Sequence, residues 1–138
     1  AGAELAGWQA KAVAAGLESR ITFLWFHEKI PLVLSACDAL IAPARYEAYG
    51  LAVQEALCSG LPAFVSRDAG VAERYPAELQ DLLIPDPEDA ADIARRLLAW
   101  RDNMQSCKAA VSGLSEQLRA RTWKQMAADI MRIIETAA

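Results

Sequence analysis

Short, almost wholly apolar runs alternate with stretches of helical period along this chain, and that alternation most limits what it can fold into. Asp38–Pro43 (DALIAP), Leu61–Ser66 (LPAFVS) and Leu82–Pro85 read as strands too apolar to show water either face. Arg20–Phe26 (RITFLWF), β-branched and aromatic, reads as a strand ahead of them. Helical patterns separate these runs. One covers residues 3–16 and ends at Gly16. A second covers about Glu28–Cys37, with Pro31 in a first turn where a missing N–H does little harm. A third, Leu51–Ser59, is closed by Gly60, and Gly70-Val71-Ala72-Glu73 looks like a further helix start.

After residue 85 the pattern becomes all helical. Asp86-Pro87-Glu88-Asp89 predicts a helix start with Asp86 as cap and proline in the first position. A weaker helical pattern runs from about 104 to 119. Thr122-Trp123-Lys124-Gln125 fits a capping box, and Trp123, Met126, Ala127, Ile130, Ile133 and Ile134 follow at helical spacing. Trp8, Trp25, Trp100 and Trp123 fall on separate elements, where core packing is the default expectation. The fold class expected is α/β: a Rossmann-like, doubly wound parallel sheet with helices on both faces and an all-helical C-terminal third. Residues 1–138 are read as one domain. Ligand groups of such sheets gather beyond the carboxyl ends of the strands, so the loops after Phe26, Pro43, Ser66 and Pro85 are expected on one edge.

Composition narrows the function. Fourteen Lys and Arg against eighteen Asp and Glu give a net charge of −4, which leaves no broad basic surface for nucleic acid. No apolar run approaches the ~20 residues of a transmembrane helix. Cys37, Cys58 and Cys107 form no CxxC pair, and His27 is the sole histidine, so neither a metal site nor a disulfide framework is expected. Three free thiols suggest a reducing, cytoplasmic compartment. The opening AGAELAGWQAK has no initiator Met and reads as the start of a fragment.

One segment concentrates chemistry: PARYEAYGLAVQEALCSGLP, residues 43–62. It leaves a strand, crosses a polar loop holding Arg45 and Glu47, passes Gly50 and enters a helix that carries Glu55 among apolar neighbours. The free N–H groups of Leu51 and Ala52 at that helix start suit a phosphate. A carboxylate accepts two hydrogen bonds at once, which suits the vicinal hydroxyls of a ribose. An exposed loop acid at 47 and a solvated helix residue at 55 are the plainer alternatives. His27 and Arg45 lie on the expected functional edge, as does Arg67. His27 could approach a nucleotide base and either arginine a phosphate, or they serve as a helix cap and solvated cations.

RYEAYGLAVQEALCSGLPAFVS followed by GVAE resembles the signature of retaining, GT-B-fold glycosyltransferases of family 4 (group 1). Their pattern is E-x(7)-E with a central aromatic-Gly-Leu, then Glu-Ala and Gly-x-Pro before a strand. Glu47, Tyr49, Gly50, Leu51, Glu55, Ala56, Gly60 and Pro62 fall on it. ACDALIAPA and the RTW at 121–123 also resemble family segments. The resemblance implies the donor-binding domain of an enzyme that moves a hexose from a nucleotide-diphosphate sugar to an acceptor with retention, without metal or other cofactor. Glu47 would be the catalytic-site acid at the donor sugar, and Glu55 would bind the ribose. Tyr49, Gly50 and Leu51 would complete donor binding, with Arg45 or His27 as further phosphate or base contacts.

Two departures stand out: Ala44 where the family usually has Ser, and Phe26-His27-Glu28 where it usually has Gly-x-Val. The family's first strand, its glycine-rich turn with an Arg/Lys pair, and the separate N-terminal acceptor domain are all expected to be missing. The fragment is therefore expected to bind donor weakly and not to turn over, and the full-length protein to sit in the cytoplasm or peripherally at a membrane. The rival readings are a nucleotide-sugar epimerase, which a single histidine fits poorly, and a non-catalytic α/β nucleotide-binding or interaction module.

Overall fold

The computed structural model describes residues 4–137. They fall in two compact units, divided after Ile30. The first contains helix α1 (Leu5–Ala14), closed by backbone bonds from Gly16 to Val13 and from Leu17 to Ala12. The expected start of this helix at Ala3 lies outside the described residues. Lys11 sits over the Trp8 ring, 4.4 Å from its centre.

Arg20–Phe26 is not a strand. It has no regular secondary structure, and Phe26 is 93% exposed. β-propensity describes fit to a ladder and creates none, and no strand pairs with this run among the described residues.

In the second unit the elements alternate as the apolar pattern implies: α2 (Ile30–Ser35, its first residue in the first unit), β1 (Leu40–Ala42), α3 (Leu51–Cys58), β2 (Ala63–Ser66), two 3-10 turns (Gly70–Arg74 and Ala77–Leu82) and β3 (Leu83–Ile84). Helices α4 (Ala90–Arg101), α5 (Met104–Ala120) and α6 (Trp123–Ala137) complete it. The sheet is parallel in the order β1-β2-β3, with Ile41 opposite Phe64 and Val65 opposite Leu83.

All four residues of β2 are buried, so both faces of the central strand are covered. Phe64, Leu57, Leu79, Ile84, Val53 and Val111 are fully buried, each worth about 1.5–3 kcal/mol of burial. Trp100 packs edge-on against Phe64 at 6.0 Å. Trp8, Trp25 and Trp123 are exposed instead of lying in the core. For α6 the reason is visible in its period. One face carries Ile130, Ile133 and Ile134, and all three are exposed with Trp123, because helical spacing fixes a common face but not a cover for it.

The Asp86–Asp89 start also moves. Asp89, not Asp86, caps α4, its carboxylate accepting from the Asp92 N–H at 2.9 Å. Asp86 instead accepts from the Glu88 N–H at 2.9 Å, which makes a turn ahead of the helix. The capping box forms as read: the Thr122 N–H donates to Gln125 Oε1 at 2.8 Å, and the Gln125 N–H donates to Thr122 Oγ1 at 3.2 Å.

Candidate functional site

Parallel strands all end on the same side, so the loops after β1, β2 and β3 are neighbours by topology. Specific bonds then stitch them. Ser66, at the end of β2 and buried, donates its hydroxyl to the Ala44 carbonyl at 2.7 Å. The Val71 N–H donates to the Tyr49 carbonyl at 2.8 Å. Arg45, after β1, pairs with Glu88, after β3. This pair holds the Glu88 carboxyl below its ordinary range, first through the hydrogen bond and then through charge. It raises Arg45 for the same two reasons.

Helix α3 starts at the centre of this edge. Gly50 is its cap, at φ +100° and ψ 57°, a conformation L side chains avoid. A Cβ there would stand 2.9 Å from Val71 Cγ1 and 3.5 Å from Glu47 Cγ. Gly70 is crowded as well: its Cβ would stand 2.6 Å from the Ala48 carbonyl oxygen. The two glycines let the loop after β1 and the loop after β2 touch through backbone. The first bond inside α3 runs from the Gln54 N–H to the Gly50 carbonyl at 3.0 Å, which leaves the earlier amides of the first turn without helical partners.

The expected site residues distribute as follows. Glu47 is exposed and folds back so that Oε1 accepts from the Tyr49 N–H at 3.2 Å. Tyr49 is half-buried, and its hydroxyl donates to Gln54 Oε1. Glu47, Tyr49, Gly50 and Leu51 are thus brought together at the helix start. Glu55 is exposed on the outer face of α3 with Leu51 and Ala52, opposite the buried Val53, Ala56 and Leu57. No hydrogen bond or ion pair joins its carboxylate to another group among the described residues. Arg45 is on the edge but engaged by Glu88. Arg67 is exposed there, its N–H extending the ladder to Ile84 at 2.9 Å. His27 lies in the first unit, exposed, with Nδ1 accepting from the Lys29 N–H at 3.1 Å.

Three features were not anticipated: the Arg45–Glu88 pair, the Tyr49–Gln54 bond and the structural use of Ser66. Only Ser66 left a sequence signal, as a hydroxyl closing an otherwise apolar strand. Among the described residues, no group of three or more His, Cys, Asp or Glu side chains could hold a metal ion. No helix among them is long and apolar enough to cross a membrane.

A parallel sheet whose strand-end loops surround the start of a glycine-capped helix defines an α/β domain with its loops gathered at the carboxyl edge, the edge where such folds place their ligands. The glycosyl transferases group 1 family matches residues 1–113, and the chain belongs to that family. A glycosyltransferase of Bacillus subtilis, YqgM, is 31% identical over 114 residues, covering 79% of this chain and 32% of its own. The lipopolysaccharide core biosynthesis mannosyltransferase LpsB of Rhizobium meliloti is 40% identical over 60 residues, covering 44% of this chain and 17% of its own. In fold, the chain is similar to sucrose-phosphate synthase from Thermosynechococcus elongatus, with a TM-score of 0.80 at 23% identity, over 99% of this chain and 35% of that one. The chain therefore spans about a third or less of the length of these proteins.

Proposed function

We propose that this chain is the donor-binding half of a retaining, GT-B-type glycosyltransferase that uses a nucleotide-diphosphate sugar. The observation that carries the reading is the helix start at Gly50, where family-pattern residues Glu47, Tyr49 and Leu51 surround free backbone amides. Those amides favour negative charge, as a leaving diphosphate or a sugar oxygen would supply. Glu47 stands beside them, where a carboxylate can hold sugar hydroxyls and oppose positive charge developing at the anomeric carbon. Glu55 contacts the ribose, and rate enhancement comes mainly from stabilising the leaving diphosphate rather than from an enzyme nucleophile. Arg45 serves the phosphate once released from Glu88. The enzyme needs no metal or other cofactor. The acceptor is held by an N-terminal domain beyond this chain, and the full-length enzyme works in the cytoplasm or at a membrane surface. Alone, the chain binds donor weakly and does not turn over.

A second reading, a nucleotide-binding or interaction module without turnover, is favoured by one observation: Glu55 stands exposed, away from the core face of α3. NMR titration of the chain with UDP, GDP and ADP separates the two. The transferase reading expects saturable shifts at Gly50, Leu51 and Glu55, weakened by Glu55→Gln. Shifts that leave Glu55 unmoved favour the module, and no shift by any of the three nucleotides refutes the donor assignment.

A further inference from the structure

Beside the start of α3 an open groove of about 740 Å³ runs between that helix, the 70–74 turn and the junction of α5 with α6. Its volume is that of a small-molecule site. Its chemistry is unusual for a chain of net charge −4. Arg74 and Arg121 line it from different elements, and no carboxylate does. Arg121 reaches Asp129 only at 4.0 Å, and no ion pair involves Arg74 among the described residues. The rest of the lining is mixed: Leu51, Leu118, Trp123 and Met126 give it an apolar and aromatic part, and Gln54, Gln117 and Thr122 are neutral and polar. Two cations from separate elements match a doubly charged group, and a guanidinium fork matches phosphate oxygens two at a time.

We propose that this groove binds a small phosphate monoester, its dianion held by Arg74 and Arg121 and its organic body lying against Trp123 and Leu118. A phosphate monoester carries about −1.5 to −2 at neutral pH, which complements the pair. The groove shares Tyr49 and Leu51 with the helix start. The ligand thus lies beside the proposed donor site and apart from the acceptor, and in that respect alone the proposal rests on the transferase reading. The sequence segment around RTW gave no hint of this: Arg121 and Arg74 are 47 positions apart, and only the turn of the chain between α5 and α6 joins them.

The test is an NMR titration of the 138-residue chain with phenyl phosphate, read at the Trp123 indole N–H and at the amides of Leu118 and Arg121. Phenol and inorganic phosphate are the controls, and UDP is the competitor. Saturable shifts confined to the groove are expected. Arg74→Gln and Arg121→Gln should each weaken binding about tenfold, as charge-assisted bonds at a half-open site do. Both arginines are on the surface, so unchanged melting temperatures will confirm that the variants fold. Phenol shifting the same residues to the same degree overturns the proposal, because the groove is then only an apolar patch. So do Gln variants that bind as tightly as the parent. UDP displacing phenyl phosphate from the groove also overturns it, by making the arginines part of the donor site. UDP, GDP and ADP all failing to move Gly50 refutes the transferase reading alone, since the groove is read at Trp123, Leu118 and Arg121.

Discussion

Replacing Gly50 by alanine tests the geometry on which the site stands. Two costs add. A Cβ at φ +100° incurs the left-handed penalty of about 1–2 kcal/mol. The same Cβ meets Val71 Cγ1 at 2.9 Å, and Val71 is itself fully buried and cannot swing away, so an overpacking cost of about 1–3 kcal/mol follows. The sum is about 2–5 kcal/mol, a large share of the roughly 5–15 kcal/mol that stabilises an ordinary domain. Gly60→Ala is the matched control, with φ +75° but nothing within 4 Å of the added Cβ. It carries the backbone term alone. Urea unfolding of the three proteins at one pH gives the differences, with the slope on denaturant checking that the unfolded state is unchanged. Gly50→Ala should lose at least about 1 kcal/mol more than Gly60→Ala, the low end of the packing term. Equal losses would refute the close approach of the two loops, and with it the placing of Glu47 over the helix start.

Ser66→Ala should destabilise by about 1–2 kcal/mol in the same assay, because it removes a buried bond and leaves the Ala44 carbonyl without that donor. Thr122→Ala breaks the capping box, and helical circular dichroism should fall with a loss of about 1 kcal/mol. The Glu88 carboxyl is lowered from 4.5 by Arg45, so its contribution is fully present above the unfolded value and fades as acid titrates it through the lower folded value. The stability gap between the parent and Glu88→Gln should therefore be largest near neutrality and shrink below about pH 4.5; a gap that widens in acid contradicts the pairing.

Helix α3 was legible because its signals are local: Gly50 and Gly60 bracket an apolar run, and both ends fall within one residue of the expected ones. Three of the expected strands formed for the same reason, each a short apolar run between turn residues. Arg20–Phe26 has equally strong local chemistry and no strand, because a ladder needs a partner and a single sequence does not name one. The choice between Asp86 and Asp89 as cap was undecidable by residue type, since both are good caps and Pro87 tolerates a turn as well as a first helical position. Glu47 and Glu55 were singled out by pattern. What pattern could not give is direction: the helical period that buries Val53, Ala56 and Leu57 turns Glu55 to the outer face.

Charge on the strand-end edge bears on how a donor would bind there. The loops after the three strands, 43–50, 67–69 and 85–89, hold five acids (Glu47, Asp68, Asp86, Glu88 and Asp89) and two bases, Arg45 and Arg67. Arg45 is already paired with Glu88. A nucleoside diphosphate approaching this edge therefore meets a net negative field, opposed at short range by the amides at the start of α3. Salt screens the long-range repulsion more than hydrogen bonds at contact distance, because the screening length is about 8 Å at physiological ionic strength. UDP affinity measured at Gly50 and Leu51 should thus stay flat or rise as salt is raised to about that strength, the reverse of ordinary anion binding. Phenyl phosphate in the groove lined by Arg74 and Arg121 should weaken over the same range. A steep loss of UDP affinity with salt would mean that cations outweigh the acids around the diphosphate, and would refute the account of an acid-rich edge whose short-range attraction comes mainly from the amides of α3.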